Sequence, residues 1–139
     1  MTTKSSGFSL IELLVVVAII GILSAVGVIS YQGYIAGTKQ KSAENTMQQI
    51  ALAQTEEYSN SGEYYYTEVG EDMCVPDSES SADIEENLFG GGDVISKETG
   101  YEMCIAKNAT TYKIVASDGA DAPKTKIITM TANGVWTGK

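Results

Sequence analysis

The stretch that most constrains this chain is an apolar run with one acid at its entrance. Between residues 13 and 29 no side chain is charged and only Ser24 is polar. Each large apolar side chain taken out of water is worth roughly 1.5–3 kcal/mol, so such a run seeks hydrocarbon. A self-sufficient membrane helix needs about 20 apolar residues. Leu10 and Ile11 lengthen the run to that size only by drawing Glu12 into the apolar zone. A carboxylate in that setting costs roughly 2.5–3.5 kcal/mol on insertion scales and should have a partner.

The plain reading of residues 8–36 is a signal anchor with Glu12 near the interface. Two features argue against it. The polar leader, residues 1–7, precedes the apolar run and ends in Gly7. A secretory signal carries its small cleavage residues after the run instead, and Ser30-Tyr31-Gln32 does not supply them. The string Gly7-Phe8-Ser9-Leu10-Ile11-Glu12, followed by the apolar run, resembles a type IV prepilin processing site. The chain is similar to the type IV pilin family, which includes the pseudopilins of type II secretion. The resemblance covers about residues 4–36, and beyond them only the layout agrees.

That resemblance implies cleavage between Gly7 and Phe8 by a membrane-embedded prepilin peptidase, then N-methylation of the new Phe8 amine. It implies that Glu12 meets the Phe8 amine of a neighbouring subunit and that the helices pack as the core of a filament. Elementary electrostatics supports the pairing: a buried ammonium and a buried carboxylate are each costly alone and tolerable together. One departure from the family is Ile29, where a Pro is usual and is associated with a kink and local unwinding. Gly21 and Gly27 remain, each about 1 kcal/mol less favourable than Ala within a helix.

The expected fold class is α+β: a long N-terminal helix packed on a small antiparallel sheet. The expected divisions are the leader 1–7, an apolar helix 8–36, the amphipathic half of the same helix 37–58, and a globular part 59–139. In the apolar half, Gly21 and Ala25, and Gly33 and Gly37, stand four apart, a spacing that lets helices approach closely or simply reflects tolerated glycine. Lys4 should hold the leader on the cytoplasmic side. From residue 37 a stripe of Ala43, Met47, Ile50, Gln54 and Tyr58 keeps the helical period and should pack on the globular part, leaving Lys39, Lys41, Glu44 and Gln48 wet. Ser59-Asn60-Ser61-Gly62 should end the helix. Tyr64, Tyr65 and Tyr66 should pack against it.

Residues 71–93 hold eight acids, no lysine, Pro76, a serine-rich patch and three consecutive glycines. They read as a solvated loop, with at most a short helical turn at 83–88. Clustered carboxylates also suit calcium, but the D-x-[DN]-x-[DN]-G spacing is absent. Strands are expected at 101–107, 111–116, 125–131 and 135–137, with Asp118 to Pro123 as a turn and Asn133-Gly134 as a two-residue hairpin signal. Asn108-Ala109-Thr110 matches an N-glycosylation pattern that we take as chance. Cys74 and Cys104 are consistent with one disulfide if this part lies outside the cytoplasm. It would join the acidic loop to the first strand and stabilise by roughly 3–4 kcal/mol in a chain-entropy model.

Composition narrows the function classes. The 139 residues contain no His and no Arg, which removes the commonest general base, the commonest zinc ligand and the bidentate phosphate clamp. The net charge of −9 disfavours a polyanion partner, so no nucleic-acid site is evident. No catalytic constellation, cofactor site or metal site is expected. The leading reading is a structural subunit, held in the inner membrane as precursor and in an extracellular filament after assembly. Such filaments serve motility, adhesion or DNA uptake in the family. The alternatives are a pseudopilin of a secretion system and a single-pass anchor carrying a binding domain. Residues 94–139 carry six lysines against four acids. A contact between the acidic loop of one subunit and Lys107, Lys113, Lys124 and Lys126 of the next is therefore weighed against two solvated faces.

Overall fold

The computed structural model describes residues 6–68, 73–119 and 126–138. The leader residues 1–5, the acids Glu71 and Asp72, the turn positions 120–123, Lys124 and Thr125 lie outside the described residues. The chain divides into two compact units, residues 1–37 and 38–139.

The first unit is the start of helix α1, Leu10–Ser61. Ser9 stands just ahead of the first turn. Its N–H donates to Glu12 Oε2 at 2.7 Å, and the Glu12 N–H donates back to Ser9 Oγ at 3.4 Å. This is the reciprocal pattern of a capping box, which satisfies two N–H groups that the helix cannot. The helix continues without a break through Gly21, Gly27 and Ile29. It is long and apolar enough to cross a membrane, and its most apolar window is wholly uncovered. Among the described residues, a Cβ added at Gly21, Gly27, Gly33 or Gly37 would meet nothing within 4 Å.

The second unit holds the rest of α1, two short helices and a sheet. These are α2 (Ser78–Phe89), α3 (Ser96–Thr99), β1 (Tyr101–Asn108), β2 (Thr111–Asp118), β3 (Ile127–Thr131) and β4 (Trp136–Thr137). The strands form an antiparallel meander in the order β1-β2-β3-β4. The alternation of strand side chains puts Met103, Ile105, Tyr112, Ile114, Ala116, Ile128 and Met130 into one core with Ala43, Met47 and Ile50 of α1. Gln54 interrupts the apolar stripe without cost: its amide donates to Tyr65 O at 2.6 Å and accepts from Tyr65 N–H at 2.9 Å. Tyr58, the last residue of the stripe, stays half-exposed and stacks on Tyr64 with ring centroids 4.6 Å apart. Tyr64 in turn meets Tyr112 edge-on at 5.0 Å. Gly62, at φ +81°, ends α1 and donates to Tyr58 O.

Three expectations need correction. The acidic segment is not a solvated loop, because α2 occupies its centre. Asp77 accepts from Ser80 N–H at 2.8 Å, Ser80 Oγ accepts from Asp77 N–H at 3.0 Å, and Gly90 closes the far end in the left-handed conformation. Ile84 is fully buried, and Leu88 and Phe89 pack beside it on the core. Glu44 is not wet: it is only 5 % exposed, and its carboxylate accepts from Gln40 Nε2 and Lys41 Nζ at 3.1 and 2.8 Å. The hairpin at Asn133-Gly134 closes over three residues, with Thr131 N–H donating to Val135 O and Gly134 N–H to Thr131 O. A left-handed glycine at the third position is what such a loop requires.

Candidate assembly site

The residues singled out for processing and assembly sit together at the tip of the first unit. Phe8 is 87 % exposed. Phe8, Ile11, Glu12, Val15 and Val16 line a shallow groove of about 370 Å³. Glu12 is the only charged side chain from residue 6 to residue 38. Among the described residues, a Cβ at Gly7 would meet nothing within 4 Å. The capping box holds the Glu12 carboxylate against the backbone one residue from Phe8. The arrangement is therefore an apolar surface carrying one fixed acid beside the Gly7-Phe8 bond. It has the means to bind a cation in an apolar setting.

The cap itself was not anticipated, although Ser9 three residues before Glu12, ahead of an apolar run, is the pattern that could have found it. Glu85, by contrast, gave no local signal. It is buried, and its Oε1 accepts from Val94 N–H at 2.7 Å and Ile95 N–H at 2.6 Å, which ties the glycine loop after α2 to the helix.

In the second unit Cys74 and Cys104 are joined in a disulfide and are both buried, with Ala106 and Val115 packed around them. Among the described residues no group of three or more acids, cysteines or histidines is placed to hold a metal ion. Glu68, Asp77, Glu79 and Asp83 line a cleft of about 170 Å³, but Asp77 is committed to capping α2. The described lysines do not share a face. Lys113 pairs across from Thr131 at the end of β3, whereas Lys126 precedes β3 and its N–H donates to Asp118 Oδ1 at 2.7 Å. Lys107 and Lys113 stand opposite Tyr112 and Ala106, one register position apart and so on opposite faces. Among the described residues, Lys107 and Lys113 therefore do not form one lysine face; Lys124 lies outside them.

Several tyrosines are held above their ordinary pKa of 10.0. Burial is the first cause for Tyr112, with the neighbouring Tyr64 adding to it. Burial also leads for Tyr101, reinforced by Asp118 and Glu44, and for Tyr65, reinforced by Asp83 and Glu86 against an opposing hydrogen bond from Asn87.

An apolar helix long enough to cross a membrane, with a capped acid at its tip and followed by a helix-on-sheet unit, is the layout expected of a subunit of prepilin type. Residues 2–28 match the family model of the prokaryotic N-terminal methylation motif. The chain is 44 % identical over 64 residues to a fimbrial protein of Neisseria meningitidis serogroup B, covering 46 % of this chain and 38 % of that one. It is 37 % identical over 79 residues to the type IV major pilin protein PilE1 of Neisseria gonorrhoeae, covering 57 % and 48 %. It is 36 % identical over 69 residues to the type IV major pilin protein PilA of Myxococcus xanthus, covering 48 % and 31 %. These matches support the type IV pilin family, whose members are structural subunits. It spans less than half the length of these curated relatives. No solved structure matches it.

Proposed function

We propose that this chain is the structural subunit of a type IV pilus. In this reading residues 1–7 are a leader that prepilin peptidase removes at the Gly7-Phe8 bond, and the new Phe8 amine is methylated. Residues 8–36 hold the precursor in the inner membrane and then polymerise, with Glu12 of one subunit paired to the Phe8 ammonium of the next. The amphipathic half of the helix, 37–58, and the globular part, 59–139, ride on the outside of an extracellular filament. The observation that carries the reading is the placement of Glu12, the sole charge of residues 8–36, at the helix tip beside Phe8. A carboxylate there is costly in lipid and is stabilised by an ammonium of opposite charge in a dry bundle.

The test is electron microscopy of filaments sheared from cells, with peptide mass spectrometry of the sheared fraction. Filaments composed of this chain support the reading. Recovery of the chain only in membranes, with none in sheared material, overturns it in favour of a membrane-anchored domain.

A further inference from the structure

Edge strands carry unpaired backbone groups that invite strands from other molecules. One edge of this sheet is β4, which is only two residues long. The other is β1, eight residues long and rich in buried apolar side chains, hence the more hazardous template. Its outward backbone groups are nonetheless occupied. Tyr101 N–H donates to Thr99 Oγ1 at 3.0 Å, Met103 N–H to Ser81 Oγ at 3.0 Å and Ile105 N–H to Thr67 Oγ1 at 3.0 Å. Ser80 Oγ donates to Met103 O at 2.9 Å, and Thr67 N–H to Ile105 O at 3.1 Å. Side-chain hydroxyls, together with the Thr67 backbone and the parallel bridge of Glu68 to Ala106, close the edge. Ser81 is fixed in turn by its hydrogen bond to the Glu102 carboxylate.

The disulfide sits in the middle of this arrangement. Cys104 lies between Met103 and Ile105, and Cys74 lies three residues before Asp77, the cap of the helix that carries Ser80 and Ser81. We infer that the Cys74–Cys104 bridge is the latch of an edge guard: closed, it holds the α2 serines on β1 and bars strand addition; opened, it lets β1 accept an extended segment of a second copy. Opening needs a dithiol reductant, whose two sulfurs join as a disulfide while the Cys74–Cys104 bond takes up two electrons and two protons to become two thiols. The guard leaves the helix as the route by which copies join. It goes beyond the pilus reading and stands on the sheet alone.

The test is amide exchange by NMR on the full chain in detergent micelles, oxidised and after treatment with dithiothreitol. Met103 and Ile105 face the guard, whereas Cys104 and Ala106 face β2 by the alternation of the ladder. On reduction the Met103 and Ile105 amides should exchange about tenfold faster, the change that losing an ordinary hydrogen bond produces, while Cys104 and Ala106 keep their protection. Thioflavin fluorescence of the reduced chain should grow with protein concentration. Ser81→Ala with the bridge intact should accelerate Met103 alone. The inference is overturned if reduction leaves Met103 and Ile105 protected, if all four amides lose protection together, if thioflavin fluorescence stays flat, or if Ser81→Ala changes nothing at Met103.

Discussion

At the scale of single residues, Glu12 has two uses for one carboxylate. It caps its own helix through Ser9, and in the proposed filament it meets a neighbour's ammonium. The cap lessens the burden of carrying an acid into lipid, because one oxygen already holds a hydrogen bond. Glu12→Ala should therefore enter the membrane at least as well as the parent, since the roughly 2.5–3.5 kcal/mol insertion cost of an acid is gone. The same variant should yield few filaments, because the incoming Phe8 ammonium finds no counter-charge. Membrane fractionation alongside a sheared-filament assay checks both halves, and normal filament yield would exclude Glu12 as the assembly partner. Gly138 offers a cleaner stability test. At φ +80° it presses on β3 so closely that an added Cβ would stand 2.0 Å from Ile127 O. Gly138→Ala should lower stability by roughly 1–3 kcal/mol, read as a fall in thermal midpoint.

At the scale of elements, what was legible in the sequence depended on how local its cause is. The apolar half of α1, the stripe of Ala43, Met47 and Ile50, and the four strands follow from periodicity, and each is present within a few residues of its expected bounds. The segment around α2 was misread because its acids and serines look solvated. Its helix is specified by the Asp77 and Ser80 cap, and its burial by long-range partners that no local pattern announces: Met103, Glu102 and Ile95. Glu44 was misread for a different reason: its partners Gln40 and Lys41 stand one helical turn before it, a local spacing that was open to reading. Gln54 shows how strongly such partners bind the elements together. Gln54→Ala would strand the Tyr65 N–H and C=O in a half-buried site, at about 1–3 kcal/mol. Urea titration should show that loss as a lower midpoint with an unchanged slope; an unchanged midpoint would mean that water replaces the amide.

At the scale of the whole molecule, the charge-poor tip and the tyrosine-rich sheet respond to different conditions. Burial raises the pKa of Tyr65, Tyr66, Tyr101 and Tyr112 above 10.0. The unfolded chain then releases phenolic protons first as pH rises. Stability fully present below about pH 10 is lost as the pH climbs through the raised folded values. Thermal midpoints measured in detergent should fall between pH 8 and about pH 11, and Tyr112→Phe should make the fall shallower. An equally steep fall in Tyr112→Phe would mean that its titration is not linked to folding. The central claim, however, concerns the other end of the chain: that Gly7-Phe8 is a processing site and residues 8–36 the polymerising helix. Intact-mass measurement of the chain in sheared filaments tests it most directly. The account predicts a chain that begins with N-methyl-Phe8, and filaments whose subunits retain residues 1–7 would contradict it.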